Sequence, residues 1–114
     1  MLVNKNLEER RYIWMSKQLL FNQVKKNQFK KLAQYVPIVA RVHGDNHPEF
    51  HEVHKLFAEI LKKTKAAGTE KPDLDQEFTK LREITDNYSV PNDVCESYEA
   101  VYNMLSESDE AYRA

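Results

Sequence analysis

Residues Ala40 to Phe57 read ARVHGDNHPEFHEVHKLF, and the fold turns on the end of one helix and the start of another within them. Gly44, one of two glycines, is expected to stop a helix arriving from the N-terminal side, because glycine readily takes the left-handed conformation found there. Asp45 or Asn46 is placed to cap the next helix. Pro48 suits its first turn, and Glu49 and Glu52 favour the positive end of its dipole. Phe50, Val53, Phe57, Ile60 and Leu61 then make one apolar stripe, and Gly68 marks the exit beyond Ala66 and Ala67.

Towards the N-terminus, Ile13, Leu20, Val24, Leu32, Val36 and Val39 recur at helical spacings with Phe21 and Phe29 beside them. Lys25, Lys26, Lys30 and Lys31 fall between them as a solvated face. Pro37 lacks an amide hydrogen and crowds the carbonyl four residues back, so the segment from Leu7 to Val42 is expected to kink or divide there. Trp14 and Met15 read as core or dimer-contact residues.

Towards the C-terminus, GTEKPD (68–73) is a loop and Asp73 is placed to cap a third helix. That helix carries Leu74, Phe78, Leu81, Ile84 and Tyr88 at spacings of four, three, three and four. NYSVPN (87–92) breaks it. A fourth helix is expected from about Pro91 to Asp93, with Val94, Tyr98, Val101, Leu105 and Tyr112 on one face and Tyr102 alongside. The period never falls to two. The expectation is an all-α four-helix bundle of up-and-down helices, one domain spanning 1–114.

Composition agrees: 41% hydrophobic and 31% charged residues in 114 describe a globular chain. The single cysteine, Cys95, cannot form an internal disulfide, which fits a reducing cytoplasm. It reads most simply as a small buried core residue, although a helix N-terminus also favours a thiolate. No apolar run is long enough for a membrane span or a signal peptide. Net charge is −1, but residues 1–66 carry +7 and residues 67–114 carry −8. Basic and acidic helices lying side by side, or pairing across a homodimer, account for this. A nucleic-acid partner is not expected, because no aromatic–basic motif accompanies the charge.

All four histidines, His43, His47, His51 and His54, lie in the opening stretch. Imidazole with carboxylate oxygen suits iron, zinc, copper or nickel, so these four are the candidate metal ligands. The plainer reading is local turn contacts for His43 and His47 and solvation for His51 and His54. There is no glycine-rich phosphate loop, no CxxC and no GxSxG elbow, and no enzymatic activity is expected.

Two stretches resemble the Ric family of hemerythrin-like di-iron proteins, which are associated with iron–sulfur cluster repair after oxidative or nitrosative damage. YVPIVARVHGDNHPEF (35–50) is similar to the segment around one of its metal-binding histidines. EFTKLREITDNYSVPNDVCESYEAVYNML (77–105) is similar to the next helix, its Tyr-x-x-Pro turn, the cysteine and the start of the last helix. The resemblance implies a hemerythrin-like bundle and iron as cofactor, with His43 on a family ligand position. The HxxxE-bearing helix has no counterpart between Phe57 and Glu77, and Arg113 stands near the place of a ligand histidine. A complete di-iron centre within one chain is therefore not expected. Glu77, Glu83 and Glu99 are the remaining carboxylates, with no spacing that selects them.

Two functions follow as expectations. One is a Ric-like protein binding one metal through His43 and His47 with His51 or His54 assisting, partnered by an iron–sulfur or full-length Ric protein. The other is a metal-free helical interaction module.

Overall fold

Leu32, Val36 and Val39 are sealed from solvent on a helix that continues through Pro37. The computed structural model describes the backbone of residues 5–114 and the side chains of residues 20–114. The expectations for Ile13, Trp14 and Met15 lie outside the described side chains. The helices are α1 (Lys5–His43), α2 (Glu49–Ala67), α3 (Asp75–Ile84) and α4 (Glu96–Arg113). This is an all-α bundle, as the periodicity requires.

Of the two outcomes expected at Pro37, a kink or a division, division does not occur; α1 is unbroken to His43. Pro37 sits on the exposed side of the helix, as does Ala33, whose carbonyl loses its partner. Water can reach that carbonyl, while Val36, Val39 and Ala40 pack inward. Burying each of the two valines contributes roughly 1.5–3 kcal/mol, enough for packing to outweigh one lost hydrogen bond.

The helices run up and down. Phe29 of α1 meets Phe57 of α2 edge-on at 5.7 Å between ring centroids, and Phe21 meets Tyr112 of α4 at 5.8 Å. At the opposite end His43 lies against Tyr98, so α4 is antiparallel to α1. Basic α1 thus packs directly on acidic α4. α3 is short and lies at the Tyr112 end. There the Tyr112 hydroxyl accepts the Leu74 amide hydrogen at 2.9 Å and Phe78 packs on the Tyr112 ring. The 85–95 connection then returns along the bundle to α4, with Val90 and Val94 against the core.

Helix ends depart from the expected caps. Gly68 does stop α2 in the left-handed region, at φ 63°. α1 does end at His43, just before Gly44, but without a positive φ there; a Cβ at Gly44 would instead lie 2.3 Å from the Ala40 carbonyl oxygen and 2.4 Å from His51 Nε2. Glycine is required for close approach rather than for its φ. Neither Asp45 nor Asn46 caps α2. The turn's own backbone does so, with the Phe50 amide donating to the His47 carbonyl and His51 to Pro48. Asp73 Oδ1 accepts the Asp75 amide hydrogen at 3.3 Å, close to its expected role. α4 begins at Glu96, later than expected, because residues 91–95 remain extended or in turns.

Candidate functional site

The end of the bundle where α1 stops and α4 starts gathers the chemistry-bearing side chains. Three segments supply them: the C-terminus of α1 (His43), the turn into α2 (His47, Glu49), and the approach to α4, with Asp93 in a turn and Cys95 extended. Their common wall is Tyr98, which is wholly buried.

His43 Nε2 lies 3.1 Å from Cys95 Sγ. Cys95 occupies the N-cap of α4 and is exposed, not the buried core residue expected. Its extended backbone, at ψ 171°, turns the thiol back towards α1. His47 makes a second group. Its Nε2 is 3.1 and 3.2 Å from the Asp93 carboxylate oxygens, and its Nδ1 is 3.2 Å from Glu49 Oε1. A neutral imidazole donates to one of these carboxylates and an imidazolium to both.

Both imidazoles contact Tyr98 edge-on, each with its ring centroid 5.5 Å from the phenol ring. Phe50 and Tyr102 pack on the same ring at 4.9 and 4.8 Å, and the Tyr98 and Tyr102 hydroxyls are 3.0 Å apart. Burial, the Tyr102 hydrogen bond and nearby Glu49 push the Tyr98 phenol well above its ordinary range, so it stays neutral. It acts as a fixed apolar wall that orients both histidines.

The four candidate histidines therefore part company. His43 and His47 come together on Tyr98. His51 is exposed, with its ring over Gly44, and His54 is half-buried one turn further along α2. Sequence reasoning missed Asp93 and Cys95 as partners of the histidines. No local signal marked them, since Asp93 lies in a turn and Cys95 in extended backbone.

Donors here stand as a His–Cys pair and a Glu–His–Asp group. Among the described residues, no three His, Cys, Asp or Glu side chains converge on one point. Glu77 is elsewhere, buried with Oε2 2.8 Å from Lys63 Nζ, and Glu83 and Glu99 are exposed. Arg113 is likewise engaged, donating to Asp109 at 2.9 Å.

No protein-family model matches the chain, and no solved structure matches it. Among the described residues no helix is long and apolar enough to cross a membrane.

Proposed function

We propose that the chain is a Ric-like helical protein of the cytoplasm that binds one transition-metal ion at the α1–α4 end and serves iron–sulfur cluster repair under oxidative or nitrosative stress. The observation that carries this reading is the 3.1 Å approach of His43 to Cys95, with His47 and Asp93 paired beside it. Thiolate and imidazole together suit iron, zinc or copper, and a carboxylate suits the harder of these. His43 and Cys95 are the first ligands, His47 and Asp93 the next. His51 is a further candidate through its place over Gly44, and His54 the most distant. The resemblance to the Ric family supports iron as the metal and an iron–sulfur or full-length Ric protein as the partner.

A di-iron centre of the family type does not fit these residues. Such a centre needs histidines and bridging carboxylates on facing helices. The Asp109 carboxylate on α4 is already bound by Arg82, Arg113 and Tyr88.

A metal-free interaction module is the second reading. It is favoured by the completeness of the His47 group, in which both ring nitrogens already face carboxylates.

Metal content of untagged protein, purified without oxygen after iron supplementation, separates the two. The first reading expects about one iron per chain, lost in His43→Ala and in Cys95→Ser. Metal-free protein, or iron content unchanged in both variants, rejects it in favour of the second.

A further inference from the structure

Phe21, Gln28, Tyr35 and Val42 are spaced by sevens along α1. On a straight α-helix such a row drifts by about 20° per heptad, and burial follows the drift. Phe21 is 1% exposed beneath Tyr112, and Gln28 is half-buried and hydrogen-bonded to Ser108 and Glu107 of α4. Tyr35 is then 37% and Val42 61% exposed. Ile38, at 48%, lies on the neighbouring row. The result is an apolar ridge that leaves the core on the α4 side of α1 and reaches the surface, with Lys31 within it.

We propose that this α1–α4 face binds a second copy of the chain about a two-fold axis. The ridge of each α1 lies on the acidic outer face of α4 in the other copy. Charge selects this pairing. From Leu20 to His43 α1 carries five Lys/Arg and no Asp or Glu, whereas α4 exposes Glu96, Glu99, Glu107 and Glu110. Laying α1 on α1 instead would bring basic helices together, which costs both affinity and encounter rate. Symmetry supports it as well. α1 and α4 are neighbours in the bundle, so a two-fold that sets α1 on the second α4 also sets α4 on the second α1. Half-buried Ala100 and Met104 continue the apolar surface on the α4 side. Leu20 to Val42 spans about 34 Å at 1.5 Å per residue. That stretch of α1 beside the 18-residue α4, about 27 Å long, presents a face on the order of the 800 Å² per partner of a stable interface. The proposal is independent of any metal.

Sedimentation equilibrium of the 114-residue chain at low and high salt tests it. The expected result is a dimer that weakens as salt rises. Ile38→Glu changes an exposed side chain and should weaken the dimer at least about tenfold while helicity by circular dichroism is unchanged. Val42→Glu serves as the second variant. Lys31→Glu should weaken the dimer too, because the residue faces acidic α4. A monomer at every concentration, or a dimer indifferent to both ridge variants, overturns the proposal. Wild type mixing with Lys31→Glu to form a tighter heterodimer than either homodimer would mean α1 pairs with α1, and overturns it as well.

Discussion

Tyr88 donates its phenol hydrogen to Asp109 Oδ2 at 2.7 Å, so the turn after α3 and a wholly buried carboxylate on α4 hold each other in place. The turn needs such an anchor. Asp86, Asn87 and Tyr88 all have positive φ, at 51°, 56° and 60°, and each left-handed residue costs roughly 1–2 kcal/mol. Thr85 Oγ1 adds to the restraint by accepting the Tyr88 amide hydrogen at 2.8 Å while donating to the Leu81 carbonyl.

Asp109 should accordingly be the most sensitive polar position. Arg82 Nη1 donates to both of its carboxylate oxygens at 2.7 and 2.8 Å, and Arg113 Nε donates at 2.9 Å. Asp109→Ala strands the partly buried Arg82 guanidinium and the buried Tyr88 hydroxyl, and should cost about 3–5 kcal/mol in urea unfolding. Arg113 is 53% exposed, so Arg113→Ala should cost no more than about 1 kcal/mol. Equal costs for the two substitutions would show that the network does not anchor the turn.

Alkaline pH should unfold the protein through its buried phenols. Burial pushes Tyr112 up to about 12, and raises Tyr88, Tyr98 and Tyr102 as well. The unfolded phenols ionise near 10.0. The unfolded chain therefore sheds protons first. The contribution is complete below pH 10.0 and is lost as pH rises through about 12. Urea unfolding free energy should fall steadily above pH 10.0, and Tyr112→Phe should flatten that fall. Full tyrosinate absorbance at undiminished helicity would contradict this, because four of the six tyrosines should resist ionisation while the fold persists.

The two glycines predict different defects. A Cβ at Gly44 meets the Ala40 carbonyl oxygen at 2.3 Å and the His51 ring at 2.4 Å, so Gly44→Ala should cost about 1–3 kcal/mol as backbone shifts to admit it. Adding His51→Ala should recover only the side-chain share of that cost. Gly68 has open space around it but φ of 63°. Gly68→Ala should cost about 1–2 kcal/mol through conformation alone, with no rescue from His51→Ala. Thermal or urea unfolding of the four variants resolves the pattern.

Phe50, Val53, Phe57 and Ile60 on α2, and Tyr98, Val101, Tyr102 and Leu105 on α4, were legible in the sequence because each lies on a helical period that burial enforces. Whether Pro37 divides α1 depends on which side of the helix it occupies, a tertiary fact. Gly44 marks the end of α1 as expected, but the reason it must be glycine is steric, set in part by a ring seven residues later. His43 and Cys95 are separated by 52 positions. Nothing local links them; antiparallel packing of α1 and α4 does. The exposed ridge at Tyr35, Ile38 and Val42 was equally hidden, because only the drift of its row around α1, away from the buried side, brings these apolar residues to the surface.

The accessible thiol gives the last prediction. Cys95 is the chain's one cysteine and is exposed beside His43. An aromatic disulfide reagent should therefore titrate it fully in the native protein, without denaturant and in a single phase. A thiol that reacts only on unfolding would place Cys95 in the core and break its contact with His43. Ferrous iron added without oxygen should slow the reaction if His43 and Cys95 share a metal, since a ligating thiolate is no longer free to attack. His43→Ala should abolish that protection while leaving the thiol as accessible as before. Protection that survives in His43→Ala would assign the metal to other ligands, and no protection in either protein would leave the His43–Cys95 pair as a contact that only joins α1 to α4.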